Sequence, residues 1–267
     1  VIIVLTGASS GIGRAAAHAL AEQGHDLAIV GRNPFRTNEV ARETGGTAFL
    51  ADFDKLEDVR LLARELLGRY PHIDALGNNA GGVVATRGIS KDGVERTWQH
   101  NVLAPFVLTR ALLPRLLESR ARVVFTSSAA NRAGTIDLTL PGWKGGLWLR
   151  GFPAYGAAKR ADAMIARELA RREPTLQVSS YHPGGVATAF AGLDESPVAG
   201  LARRVLRTPE QGAAQQVGLL TGELDVASGS YVDGDKRDRG LAAQARDPEA
   251  CRTLWNALEA QAARLAS

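Results

Sequence analysis

The stretch "AYGAAKRADA", residues 154 to 163, sets Tyr155 four positions ahead of Lys159 in a run otherwise rich in small residues. Positions i and i+4 share one face of a helix, so this spacing brings a phenol and an ammonium side by side. A free phenol, with a pKa near 10, is a poor base at neutral pH, and a neighbouring positive charge stabilises its ionised form. Taken alone, the pair reads equally well as a core tyrosine beside a surface lysine. A second stretch, "TGASSGIG" from Thr6 to Gly13, places glycines between an apolar run and a helical one. Glycine permits a tight turn and close backbone approach, and the helix N-terminus that follows favours a diphosphate. A purely structural strand-to-helix turn is the alternative.

The second apolar run closes in "VGRN". A site that holds an unphosphorylated adenosine ribose has an acidic residue at this place. Here stand Gly31 and Arg32, with Arg14 on the preceding helical segment, and two guanidinium groups suit a 2′-phosphate. NADP(H) is therefore favoured over NAD(H), two solvated arginines being the other reading.

Residues of this kind need a scaffold that ends strands and starts helices along one edge. "VIIVL" reads as a first strand and "GRAAAHALAEQ" as a helix ending at Gly24. "DLAIVG", "TAFLADF", "HIDALGNNAG", "ARVVFTSS", "TLQVSSYHPG" and "GSYVDGD" complete seven strands. Between them fall "NEVARETGG", an amphipathic helix from about Lys55 to Gly68, a long helix over about 92 to 118, and the helix of Tyr155 and Lys159. Strands that are apolar throughout and alternate with helices predict an α/β fold, a doubly wound, mostly parallel seven-stranded sheet with helices on both faces. The 267 residues read as one domain. Two segments break the alternation, about 131–153 and about 187–208, and are expected as a substrate-side insertion and a lid beyond the carboxyl ends of the strands.

Composition narrows the partners. The net charge of +4 comes from arginines scattered among acidic residues on helix faces, with no basic run interleaved with aromatics, so no nucleic-acid partner is expected. Cys251 is the lone cysteine and the five histidines show no ligand spacing, so neither a disulfide nor a metal site is expected. That cysteine usage fits a reducing, cytoplasmic setting. No apolar run approaches the ~20 residues of a membrane span, and no secretory n-region precedes "VIIVLTGA". The start at Val1 rather than Met suggests a short leader ahead of it.

The motifs "TGASSGIG", "NNAG" (Asn78 to Gly81), Asn101 in "NVLAPFVLT", "VVFTSS", "YGAAK" and "HPGGVAT" follow the order and approximate spacing of the short-chain dehydrogenase/reductase family, which this chain resembles over nearly its whole length. The resemblance implies a Rossmann fold and four catalytic positions. Tyr155 is similar to the family's general acid or base, Lys159 to the residue that tunes it and holds the nicotinamide ribose, and Ser128 to the serine that binds the substrate carbonyl. Ser127 is the fallback if the register is off by one. Asn101 is similar to the asparagine that holds a water in the proton relay. For the cofactor the resemblance implies Gly7, Ser9, Ser10, Gly11, Ile12 and Gly13, with Arg14 and Arg32 near the adenosine ribose. It adds Asp52 near the adenine, Asn79, Ala80 and Gly81 as the wall beside that ribose, and the segment of Pro183, Gly184, Val186 and Thr188 over the nicotinamide.

The gap from Ser128 to Tyr155 is about twice that of simple members, and with the C-terminal stretch "GSYVDGDKRDRG…DPEACRTLWNALEAQ" it resembles the retinol dehydrogenase-like branch. That branch implies a lipophilic aldehyde, ketone or alcohol as substrate. Trp143, Trp148 and Phe152 in the insertion read either as an apolar pocket lining or as a small core that keeps a long loop folded. The helices over about 101–118 and 154–172 form the pairing surface in many members, giving homodimers or homotetramers. A non-catalytic NADP(H)-binding sensor or scaffold on the same fold is the alternative to an enzyme.

Overall fold

Ile2, Ile3, Val4 and Leu5 are all buried because the strand they form, β1 (Ile2–Thr6), has helices on both sides. Alternate side chains of a strand point to opposite faces: Ile2 and Val4 enter one apolar core, Ile3 and Leu5 the other. In this computed structural model the described residues are 1–139, 142–143, 145–185 and 207–266, the side chain of Trp143 excepted. Nearly all of the segment expected as a lid, and both Val186 and Thr188, lie outside them.

The strands that follow are β2 (Asp26–Gly31), β3 (Thr47–Leu50), β4 (Ala75–Asn78), β5 (Arg122–Thr126), the two-residue pair β6 (Ile136–Asp137) and β7 (Gly142–Trp143), then β8 (Gln177–Tyr181), β9 (Ser230–Asp233) and β10 (Lys236–Arg237). The main sheet runs β10-β9-β8-β5-β4-β1-β2-β3, and only β10 is antiparallel to its neighbour. It thus has eight strands where the sequence predicts seven. "GSYVDGD" reads as a single strand, yet the chain reverses after Asp233 and pairs Lys236 with it across a two-residue turn. The returning strand is polar and solvated, so it carries no apolar period to reveal it.

On the face of Ile3 and Leu5 lie α1 (Gly11–Glu22), α2 (Pro34–Thr44) and a later helix, Pro209–Thr221; the other face holds α3 (Leu56–Arg69), α4 (Ala104–Glu118), α5 (Phe152–Arg172) and the C-terminal helix, Pro248–Arg264. We number the former α6 and the latter α7. The long helix expected from about residue 92 starts instead with one turn at Arg96–Trp98, opens into a π turn over Gln99–Leu103, and continues as α4. Its entry is fixed by Glu95, whose carboxylate accepts from the Thr97 and Trp98 amides at 2.7 and 3.1 Å, satisfying donors that a helix start leaves open.

The chain leaves β1 toward β2 on one side, and β4 takes the place on β1's other side. Helices therefore diverge above the carboxyl ends of β1 and β4, which opens a crevice there. Among its described residues, the segment expected as an insertion holds a short helical turn at Ala129–Arg132, the antiparallel pair β6 and β7, and a second turn at Leu149–Gly151.

Candidate active site

The crevice is a cavity of about 660 Å³. Its floor is the glycine turn between β1 and α1, where Gly7 adopts φ +66°, a conformation that suits glycine. A Cβ on Gly13 would stand 2.6 Å from the Asn79 amide nitrogen and overlap the Gly7 carbonyl, so α1 can close on the turn only without a side chain there. Thr6 binds the two sides of the crevice together. Its hydroxyl donates to the Gly77 carbonyl at 3.1 Å and accepts from the Asn79 and Ala80 amides at 3.0 Å each. Ser10 is the N-cap of α1 and gives its side chain to none of the helix amides, so the first turn of α1 faces the cavity with donors for an anion.

Gly7, Ser9, Ser10, Gly11, Ile12, Gly13, Arg32, Asp52, Asn79, Ala80, Gly81, Ser128, Tyr155, Lys159, Pro183 and Gly184 all line this cavity. Arg14 does not. Its guanidinium is turned to α2, 2.9 Å from the Glu43 carboxylate and 3.5 Å from that of Glu39. The second guanidinium on the rim belongs to Arg36, which the sequence reading missed. Asn33 caps α2 by accepting from the Arg36 amide at 3.0 Å, and Arg36 lines the same cavity as Arg32. Neither makes an ion pair among the described residues. Arg96 and His100 complete the wall on this side; both stand against the Asp54 carboxylate, at 3.0 and 2.9 Å.

The opposite side of the switch point holds the phenol and the ammonium. Tyr155 is buried in the first turn of α5, and its hydroxyl shares a hydrogen bond with that of Ser128. Burial pushes the phenol well above its ordinary range, and the field of Asp162 adds to the rise, while the Ser128 hydrogen bond opposes it. The Ser128 oxygen accepts from the Ala130 amide at 3.1 Å, which leaves its proton on the side of Tyr155 and the cavity. Ser127 is pinned elsewhere, donating to the Lys159 carbonyl at 2.6 Å.

The Lys159 ammonium lies 5.6 Å from the centre of the Tyr155 ring and donates to the Thr126 carbonyl and to Asp162, both at 2.9 Å. Asp162 was not singled out from the sequence. Asn101 does not line the cavity; its side chain is engaged with the loop behind Lys159. Its amide donates to the carbonyls of Gly82 and Thr97 at 3.0 and 2.8 Å, and its oxygen accepts from the Gly82 amide at 2.9 Å. A Cβ on Gly81 would stand 2.5 Å from that oxygen and 3.3 Å from the Lys159 nitrogen.

The insertion stands behind this wall. Trp148 donates its indole N–H to the Ala85 carbonyl at 2.7 Å, and the Arg87 guanidinium lies 6.0 Å from its ring centre. Val83 and Val84, in the same loop, face the cavity, whereas Trp148 does not. Phe152 is half exposed.

The donor set fits a nicotinamide dinucleotide. The first turn of α1 would hold its diphosphate, Arg32 and Arg36 an anionic group at the adenosine end, and Lys159 the ribose hydroxyls near Tyr155.

Residues 1–197 match the model of the short chain dehydrogenase family. A protein of Streptomyces sp. strain C5 with the name "Putative daunorubicin C-13 ketoreductase DnrU" is 40% identical over 257 residues, covering 91% of this chain and 88% of its own. Human retinol dehydrogenase 11 is 32% identical over 269 residues, covering 96% and 83%. The crystal structure of a short chain dehydrogenase from Salmonella enterica serovar Typhi superposes with a TM-score of 0.68 at 29% identity, covering 88% of this chain and 96% of that one. On the family match, these relatives and the eight-stranded sheet with its glycine turn, the chain belongs to the short chain dehydrogenase family.

Proposed function

We propose that the chain is an NADP(H)-dependent oxidoreductase that interconverts a ketone or aldehyde and the corresponding alcohol on an apolar small molecule. The observation that carries the chemistry is the convergence of Tyr155, Ser128 and Lys159 on one wall of the cavity. Bound there, the reduced dinucleotide supplies the hydride that the carbonyl carbon accepts. Ser128 donates a hydrogen bond to the carbonyl oxygen, holding it in line. Tyr155 passes its phenolic proton to that oxygen as negative charge develops on it, and in the reverse direction takes the proton back. Lys159 fixes the ribose and so the distance between the reacting carbons. Asn101 acts through Gly81 and Gly82, keeping the loop beside Lys159 in place.

The preference for the 2′-phosphate rests on Arg32 and Arg36, a pair of cations on the rim where an NAD site carries an acid. Val83 and Val84 support an apolar substrate, and so do the relatives, one named for a ketone of daunorubicin and the other for retinol.

Titrating the protein with NADPH and NADH, by fluorescence and calorimetry, and then following NADPH oxidation over a panel of lipophilic ketones and aldehydes tests the reading. NADPH is expected to bind more tightly and to turn over with at least one carbonyl. A clear NADH preference would overturn the cofactor assignment. Tyr155→Phe is expected to abolish turnover while leaving NADPH binding intact, and retained activity would remove the tyrosine from the mechanism.

A further inference from the structure

We propose that Asn131 is a positioning residue for the carbonyl-binding serine, a carboxamide that ties the Ser128 turn to the chain beyond β10 and so sets where the Ser128 hydroxyl points. The inference rests on the reading of Ser128 as the group that binds the substrate carbonyl. Ser128 caps the short turn Ala129–Arg132 from extended backbone, at φ −161° and ψ 157°. It lines the cavity, whereas Asn131 does not and is wholly buried. The Asn131 backbone N–H and side-chain amide both donate to the Ser128 carbonyl, at 2.9 and 2.8 Å, which occupies both lone pairs of that oxygen. The same amide donates to the Gly240 carbonyl at 3.2 Å and stands 3.4 Å from the Tyr231 hydroxyl, and the amide oxygen accepts from the Ala242 N–H at 2.9 Å. One side chain thus joins the Ser128 peptide to the stretch 240–242.

The turn is also held by α5. A Cβ on Gly156 would stand 2.5 Å from the carbonyls of Ala130 and Ala133, so the turn rests on the α5 backbone itself. Arg160, next to Lys159 and only 7% exposed, donates from Nε to the Asn131 carbonyl at 2.8 Å and from a terminal nitrogen to the Gln244 side-chain oxygen at 2.9 Å. Gln244 donates in turn to the Ile136 carbonyl at 3.3 Å. The C-terminal stretch has its own anchor in Asp238, which accepts from the Tyr231 amide at 3.0 Å and pairs with Arg167 at 2.9 Å. A buried polar network whose members are satisfied selects one geometry. Such a device matters here because a displacement of about 1 Å at a reacting group costs on the order of 100-fold in rate.

The test is a double-mutant cycle on NADPH-dependent reduction of a carbonyl that turns over in the panel, with Asn131→Ala made in the wild type and in Ser128→Ala. In the wild type the substitution is expected to lower kcat about 10-fold and to leave Kd for NADPH within a factor of about two, since Asn131 stands off the cavity. In Ser128→Ala the same substitution is expected to change kcat by no more than about twofold, because the group it positions is already gone. An equal loss in both backgrounds would make Asn131 a purely structural residue, and an unchanged kcat in the wild type would show that Ser128 does not depend on it; either result overturns the proposal. Should Asn131→Ala not fold, Gln244→Ala, a half-buried side chain at the far end of the network, carries the same cycle. It is expected to lose about threefold in the wild type and nothing further in Ser128→Ala, and the same two results count against the proposal. Ser128→Ala with full activity would instead defeat the carbonyl-binding reading on which the inference stands.

Discussion

Arg32 and Arg36 reach the cavity rim from either side of a helix cap, and their guanidinium groups make no ion pair among the described residues. A 2′-phosphate would give each a charge-assisted hydrogen bond, an interaction of about 1.5–3 kcal/mol. Arg32→Ala and Arg36→Ala are therefore each expected to weaken NADPH binding about 10- to 100-fold while leaving NADH binding within a factor of two or so, and calorimetric titration with both nucleotides checks it. Ser128→Ala should cut kcat about 100-fold by removing a donor from the developing oxyanion. Ser127→Ala should act mainly on stability, because its hydroxyl serves the α5 backbone; equal kinetic losses in the two variants would contradict the assignment. The placement of Tyr155, Lys159 and the glycines along one cavity was legible in the sequence because it depends on spacing along one helix or one turn. Arg36 was not, since nothing local distinguishes a rim arginine from a solvated one. Arg14 was misplaced because its partners, Glu39 and Glu43, sit on a different helix whose packing angle no periodicity reports.

At the scale of elements, the alternation of strands and helices could be read directly, because strands covered on both faces are continuous apolar runs. What escaped was short or polar: β10, with no apolar residue, and the π turn, whose extra residue leaves the apolar pattern of a helix nearly intact. The insertion was visible as a break in the alternation, but its role depends on contacts with a loop more than sixty residues earlier. Trp148 braces the Val83–Arg87 loop from outside, with its indole N–H on the Ala85 carbonyl and the Arg87 guanidinium near its ring. Trp148→Ala is expected to raise KM for a bulky carbonyl about 3- to 10-fold, a loss of about 1 kcal/mol in wall rigidity. kcat and KM for NADPH should change little, and Tm should fall by less than about 5 °C. Steady-state kinetics and a thermal melt on the same preparation separate the outcomes, and a large fall in Tm with unchanged KM would make the insertion a folding element instead.

Across the whole molecule, α7 lies over the outer faces of α4 and α5, the two helices that the family resemblance names as a pairing surface. Trp255 is buried against Phe106 of α4, ring centres 4.9 Å apart and nearly perpendicular, with Arg110 and Arg172 at 5.7 and 5.1 Å from its ring. Glu259 pairs with Arg110 at 3.0 Å, and Asn256 accepts from Arg172 at 2.7 Å. α7 thus covers the surface that the resemblance implies for pairing, and light scattering is expected to give the mass of a single chain. Trp255→Ala removes the largest side chain of that contact, a change that costs about 3–5 kcal/mol in a core and about 2–4 °C of Tm for each kcal/mol. Tyr155 lies about 25 Å along α5 from Arg172 at 1.5 Å per residue, so kcat well below the melting temperature should stay close to the wild-type value. If Trp255→Ala instead gains a dimer in solution, α7 acts as a cover over a pairing surface that the fold retains beneath it. If it loses stability and remains a single chain, α7 is simply the outermost layer of the core.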